Sequence, residues 1–375
     1  MTSAAKAPQP TPAVTTEGCR YCWMCRQSCP VGFVTARETF TPHAWALEIE
    51  SVRRGQLKWN PETVDVLYAC ADCGLCRAHC ATDRPLPDAI AAARAEVVTS
   101  GAAPAAVYAI DRALKTNGTP YSNVVPEKPS APRKNDVAIF IGDAGLHLSL
   151  AETDAAGNLL TRAGISAAII GSGRSTGALA SSLGLHDTAL ALARGILDEV
   201  AATGCRELIV FSPADRWAFE HVYPQRLGLA WPESVVIRDA VEVLDAAVSS
   251  GRLTLRPIGK ARPYAYHDPC HTPSVRRDHG APRRLLAAVL GAENARELFW
   301  REGRAHPCGA VGGLHLTQPR LAAQLAESRF RDAAAAGASW FLTEDPLCRH
   351  HLEKGSSPAL EVRGLYSTLA EGMTD

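Results

Sequence analysis

The chain has 375 residues with 39 basic and 39 acidic side chains, a net charge of zero, and 46% hydrophobic residues. That length bounds the chain to two or three domains with a sizeable buried core. The balanced charge argues against a nucleic-acid binder, which carries a basic stripe, and no apolar run reaches the length of a membrane span.

Residues 1–15, rich in Pro, Thr and Ala, read as a disordered lead-in with neither a secretory nor a twin-arginine signal. The expected location is therefore the cytoplasm, where thiols stay reduced. Twelve cysteines in that setting point to metal or redox chemistry rather than to disulfides.

Eight of those cysteines crowd into residues 19–80. Cys19, Cys22, Cys25 and Cys29 follow C-x2-C-x2-C-x3-C, closed by Pro30, and Cys70, Cys73, Cys76 and Cys80 repeat it with Ala81 in the proline's place. Three cysteines two residues apart wrap three irons of a [4Fe–4S] cube, and the fourth points away to complete a twin. The spacing thus assigns Cys19, Cys22, Cys25 and Cys80 to one cluster, and Cys70, Cys73, Cys76 and Cys29 to a second. Tetrahedral zinc has no use for three consecutive C-x2 spacings. Gly32 and Gly74 are expected to let backbone approach the clusters. Trp23, Phe33, Trp45 and Tyr68 either shield the clusters or pack the core.

Between the runs, Thr41-Pro42 and Asn60-Pro61 signal helix starts, with Gly55 as a stop, and a further helix begins near Pro87. Residues 16–105 are therefore expected to form a helical two-cluster domain. A proline-rich connector at 106–135 follows, with a short helix around residues 106–115.

From Asp136 the pattern changes to short apolar runs at 136–142, 165–171, 206–212, 262–268 and 338–344, alternating with helical stretches. This predicts parallel sheets covered by helices. Residues 142–147 and 267–272 occupy matching places, as do 211–217 and 343–351. Residues 136–255 and 256–375 accordingly read as two related α/β halves, and the fold class as α+β multidomain.

YHDPCH at 266–271, PCGAVGG at 307–313, TEDPLC at 343–348 and the twin runs together resemble the iron–sulfur subunits with CCG cysteine-rich domains. Heterodisulfide reductase, glycolate oxidase and lactate-utilisation iron–sulfur proteins make up that family. The resemblance implies two [4Fe–4S] clusters and a partner flavoprotein dehydrogenase that oxidises an organic acid or amine. It also implies a quinone or other acceptor, membrane-anchored or reached through a partner. In the second half Cys270, Cys308 and Cys348 match family positions, while Pro307 and Asp345 replace cysteines. In the first half Asp143, Gly171, Ser172, Ser212 and Asp215 stand at the expected sites.

Cys270, Cys308 and Cys348 with Asp345, or with His271 or His306, remain open between a third cluster, a zinc ion and no metal. Cys205 reads as a core cysteine, and the loop at 171–177 lacks a Walker lysine. His350 and His351 are expected in solvent. Arg276, Arg277, Arg283 and Arg284 read as a solvated helix face that is also able to dock an acidic partner. No dinucleotide fingerprint, hydrolase triad or flavin motif is present. The chain is therefore expected to relay electrons, against two alternatives: a disulfide-reductase catalytic subunit and a non-catalytic redox sensor.

Overall fold

A computed structural model describes residues 16, 18–122, 133–259 and 261–373. The lead-in at 1–15 and residues 123–132 of the connector lie outside that description. The N-terminal helices Pro42–Arg53, Pro61–Tyr68, Leu86–Thr99 and Ala105–Asn117 begin and end where local chemistry dictates. Asn60 accepts hydrogen bonds from the amides of Glu62 and Thr63 at 3.0 Å, and Thr63 closes a capping box. That cap fixes the helix that carries the chain to Cys70. Thr41 stands at the start of its helix, but its hydroxyl donates back to the Glu38 carbonyl at 2.6 Å instead of capping.

Among the described residues, eight strands form two parallel sheets. The first contains β1 (Val137–Gly142), β2 (Ala168–Arg174), β3 (Glu207–Val210) and β4 (Val236–Asp239), in the order β2-β1-β3-β4. The second contains β5 (Tyr264–Tyr266), β6 (Ala295–Arg296), β7 (Trp340–Thr343) and β8 (Glu361–Gly364), in the order β6-β5-β7-β8. The two orders are the same, so the halves repeat one topology. The five apolar runs read from the sequence supply β1, β2, β3, β5 and β7. The outer strands β4, β6 and β8 escape that reading because they are short, and β4 and β8 alternate buried with exposed positions.

Strand register makes the repeat close enough to match residues. Val137 pairs with Glu207 as Tyr264 pairs with Trp340. Counting forward from those pairs, Asp143 corresponds to Cys270, Ser212 to Asp345, and Asp215 to Cys348. The carboxylates of the first half thus stand where the second half keeps thiols.

One apolar core runs from the N-terminal helices (Trp45, Leu67, Tyr68, Ile90) into the first half (Phe140, Leu208, Phe219). A second core joins the two halves through Ile139 and Ile209 on one side and Tyr264, Tyr266 and Leu342 on the other. Burial of this kind contributes about 25 cal/mol per Å² of apolar surface, so the parts hold each other in place. No helix among the described residues is long and apolar enough to cross a membrane.

Candidate metal centres and the cleft between the halves

The first cysteine loop winds tightly. Tyr21 and Trp23 adopt left-handed backbone, with φ of 50° and 63°, so that Cys19, Cys22 and Cys25 face one hollow. Cys80 completes the wall of that hollow, which encloses ≈ 570 Å³ counting its open mouth. The Cys80 sulfur accepts a hydrogen bond from the Arg84 amide at 3.4 Å and lies 3.4 Å from the Thr82 hydroxyl. Burial would raise this thiol, but those two partners hold it below its usual range. At Cys25 burial, with Cys19 beside it, outweighs a backbone hydrogen bond and pushes the thiol up to about 11.

The second hollow gathers Cys70, Cys73 and Cys76 with Cys29. Cys29 starts the helix Pro30–Thr35 and accepts the Gly32 amide at 3.4 Å, and Cys70 accepts the Asp72 amide at 3.3 Å. Amide donors of this sort stabilise negative sulfur. Asp72 and Gly74 are left-handed, with φ of 52° and 79°, which turns the loop around the hollow. Gly74 is thus required by its backbone angle. At Gly32 a Cβ would lie 2.9 Å from the Thr41 methyl, so close packing favours glycine there. Burial pushes the Cys73 thiol up to about 12 and Cys29 higher still. Four thiols in such a place lose their protons only to a cation.

Each hollow therefore draws cysteines from both runs: Cys19, Cys22 and Cys25 meet Cys80 in the first, Cys70 and Cys73 meet Cys29 in the second, and Cys76 lines both. Among the described residues, no three of the eight sulfurs all lie within 4.8 Å of one another. A single zinc draws its sulfurs to about 3.8 Å, given a Zn–S bond of roughly 2.3 Å. The wider spread suits a multi-iron cluster, which supplies one-electron storage when bound.

Both halves of the protein grip the inner loop. Arg226, on the wide-turned helix Ala218–Arg226, holds Asp72 with two bonds at 2.8 Å. Arg94 donates to the carbonyls of Leu67, Cys70 and Ser182, and Ser182 donates to Asp72 at 2.5 Å. From the second half, the His271 ring meets the Asp72 carbonyl at 3.1 Å. Gly312, left-handed at φ 64°, brings its Cα so near that an added Cβ would lie 2.6 Å from the Ala71 carbonyl oxygen. Gly312→Ala is expected to cost roughly 3 kcal/mol, from left-handed strain plus overlap, read as a lowered denaturant midpoint.

Arg226 also bonds Asp88 at 2.6 Å, and His221 meets the same carboxylate at 2.9 Å. Burial would raise the Asp88 carboxyl, but His221 and Arg226 overcome it and hold the group at about 2. The folded pKa lies below the unfolded one, so this stability is present above about pH 4 and lost as pH falls towards 2. We expect Asp88→Asn to be less stable than the parent at pH 6, by on the order of 2 kcal/mol, with the gap closing near pH 2–3 in urea unfolding.

A cleft of ≈ 1000 Å³, counting its open mouth, lies between the halves. Cys270, Cys308, Cys348 and Asp345 line it from the second half, and Asp143, Ser212 and Asp215 from the first. Asp345 caps the helix Pro346–Glu353, accepting the Cys348 amide at 2.7 Å, and the Ser212 hydroxyl donates to it across the pseudo-symmetric junction. Burial pushes Asp143 up to about 6, and Asp215 is raised by burial and by Asp143 and Asp345. Cys308 and Cys348 lie 3.2 Å apart, sulfur to sulfur. His267 joins this pair. The sequence carries that signal in YHDPCH, where His267 precedes Cys270 by three residues, although the motif reading pointed to His271 and His306 instead. His271 lines the cleft and stacks on Trp217 at 4.1 Å. His306 stacks on Trp300 at 3.9 Å, away from the cleft lining.

Several surface expectations change. Arg276 is buried and pairs with Asp239 at 2.8 Å and Glu344 at 2.6 Å, joining the ends of β4 and β7. Arg283 is held by Asp268 and Glu297, and Arg284 by Asp245 and Asp278, so these join ion-pair networks, while Arg277 is exposed as expected. His351 is buried, with its ring 3.4 Å from the Ala322 carbonyl. Trp45 and Tyr68 pack the core, whereas Trp23 and Phe33 are exposed. Cys205 is a core residue. Gly171 and Ser172 lie in β2 and not on the cleft, and Gly171 makes room for the Phe140 ring.

Two family models match the chain: a 4Fe-4S dicluster domain over residues 18–84 and the CCG cysteine-rich domain over residues 264–353. One subunit of the dihydromethanophenazine:CoB–CoM heterodisulfide reductase of Methanosarcina barkeri is 25% identical over 307 residues, covering 78% of this chain and 74% of that protein. Its counterpart in Methanosarcina acetivorans is 24% identical over 328 residues, covering 83% and 79%. A probable membrane-anchored ferredoxin of Chromohalobacter salexigens is 27% identical over 246 residues, covering 63% of this chain and 35% of that protein. The chain thus carries a match to a 4Fe-4S dicluster domain ahead of a match to a CCG cysteine-rich domain, in the order its two cysteine-bearing regions take.

Proposed function

We propose that the chain is the electron-transfer subunit of a larger oxidoreductase, holding two [4Fe–4S] clusters. Cys19, Cys22, Cys25 and Cys80 hold the outer cluster, and Cys70, Cys73, Cys76 and Cys29 hold the inner one. It takes electrons from a flavoprotein dehydrogenase that oxidises an organic acid or amine, and passes them to a quinone or another carrier. The observation that carries this reading is the shared wall at Cys76: it lines both of two adjoining hollows, one with Cys19, Cys22, Cys25 and Cys80 and the other with Cys29, Cys70 and Cys73. Two adjacent one-electron sites split the pair delivered by a reduced flavin. The protein works in the cytoplasm, and a partner carries any membrane anchor, in keeping with the ferredoxin relative's name.

The test is iron and sulfide analysis of anaerobically purified protein, followed by mixing with the flavoprotein that co-purifies with it. About eight irons per chain, reduced when the flavoprotein's substrate is added, support the relay. The names of the Methanosarcina relatives favour a second reading, in which the chain serves a disulfide reductase. Disulfide turnover by the isolated chain with an artificial donor would establish that reading in place of the relay.

A further inference from the structure

Two strongly exposed aromatic side chains stand close together on the surface. Phe33 is 57% exposed on the helix Pro30–Thr35, and Phe299 is 62% exposed just ahead of the turn Glu302–Arg304. Trp300 joins them edge-on, its ring centroid 6.3 Å from that of Phe33 and 5.0 Å from that of Phe299. Apolar side chains scattered singly over a surface need no explanation, but a contiguous aromatic group marks a contact surface. The group bridges two parts of the chain, since Phe33 belongs to the cysteine-rich N-terminal domain and the other two to the second half.

The backbone beneath the group is held in place. The amides of Phe299 and Trp300 both donate to Asp332 at 3.2 Å, and buried Arg329 donates to the Trp300 carbonyl at 3.3 Å and to Asp332 at 3.1 Å. Trp300 stacks on His306 at 3.9 Å. Side chains fixed in this way lose little freedom on binding. The rim is basic. Arg304 lies over the Phe299 ring at 5.9 Å, and Arg37 follows the Phe33 helix; both are exposed, and neither makes an ion pair among the described residues. Glu302 is the one acid in that turn. Phe33 also sits one helix turn from the inner hollow: its amide donates to the Cys29 carbonyl at 3.0 Å, and Cys29 lines that hollow with Cys70 and Cys73.

We propose that Phe33, Trp300 and Phe299 form the docking surface for the flavoprotein that supplies the electrons, which meets them with an apolar face edged by carboxylates. The inference rests on the relay reading and adds where the donor sits, beside the inner cluster. Aromatic anchors with arginine at the edge are the residues that carry most of the energy of protein–protein contacts. A quinone needs an enclosed slot, and this surface is open. A membrane interface calls for a long amphipathic helix, whereas Phe33 stands on a helix of six residues and Phe299 and Trp300 lie outside any helix.

The full-length protein, purified anaerobically with both clusters, is mixed with the flavoprotein that co-purifies with it, and binding and electron transfer are read separately. Binding is followed by affinity and by hydrogen exchange of residues 32–36 and 298–304, and transfer by the rate at which substrate-reduced flavoprotein bleaches the clusters. Phe33→Ser combined with Phe299→Ser is expected to weaken binding at least about tenfold, with iron content and reduction by dithionite as in the wild type. Arg304→Glu is expected to weaken binding more at low salt than at high salt. Leu47→Ser, at another exposed position, is expected to change nothing. The exchange measurement needs only the wild type, so a variant that fails to fold leaves the test intact. Unchanged affinity in the double variant, or no protection of the two segments in the complex, overturns the proposal. Protection that appears instead between copies of this chain, or on vesicles of anionic phospholipid, overturns it too. A complex that forms at this surface but passes no electrons counts against the relay alone. Transfer that the variants leave untouched counts against the docking surface alone, and no binding at all counts against both.

Discussion

Cys29→Ser is expected to remove the inner cluster and leave the outer one, lowering iron from about eight to about four per chain. Cys29 belongs by sequence to the first run, yet its sulfur faces Cys70, Cys73 and Cys76. Cys80→Ser should do the reverse, because Cys80 faces Cys19, Cys22 and Cys25. Combining substitutions separates crossed from uncrossed ligation. Cys29→Ser with Cys70→Ser should lose no more iron than Cys29→Ser alone, whereas Cys29→Ser with Cys19→Ser should lose nearly all of it. If the first pair proved additive and the second did not, each run would hold its own cluster.

Arg226→Leu is expected to destabilise the fold by about 3–5 kcal/mol, because it leaves Asp72 and Asp88 buried without their cation. Both carboxylates are at most 6% exposed, and Arg226 is 5% exposed at its side chain. The loss should appear as a lowered denaturant midpoint and as faster release of the inner cluster, since Asp72 lies between Cys70 and Cys73. Arg284→Ala, which removes a half-exposed cation from Asp245 and Asp278, should cost no more than about 1 kcal/mol. Equal effects for the two would mean that the clamp on the inner loop contributes nothing special.

Much of this was legible in the sequence because it depends on local spacing. The C-x2-C-x2-C-x3-C pattern gathers four cysteines within eleven residues and its second copy supplies the exchanged fourth thiol, and Asn60-Pro61 states a helix start in two. Alternating apolar runs gave the parallel sheets, and the rhyme between 211–217 and 343–351 gave the two halves. What stayed hidden depends on contacts far apart in the chain. Arg226 and Asp72 are 154 residues apart, so no window of sequence shows that one holds the other. Arg276 looked like a solvated charge because its neighbours are arginines, but its partners Asp239 and Glu344 lie at the ends of two different sheets. His267 is masked in the sequence by the cysteines around it, and only the fold places it beside Cys308.

The unequal shelter of the two cysteine hollows sets an order of oxidative damage. Cys22 is exposed and the outer hollow opens beside Trp23 and Met24, which are themselves more than half exposed. Cys29 and Cys70 are buried, and the loop that carries Cys70 is gripped at Asp72 from both halves. Oxygen and peroxide diffusing from solvent meet the outer cluster first, so in air the protein should lose its irons in two stages. The outer cluster is then the first to fail, and a protein part-way through that loss should still hold the inner cluster.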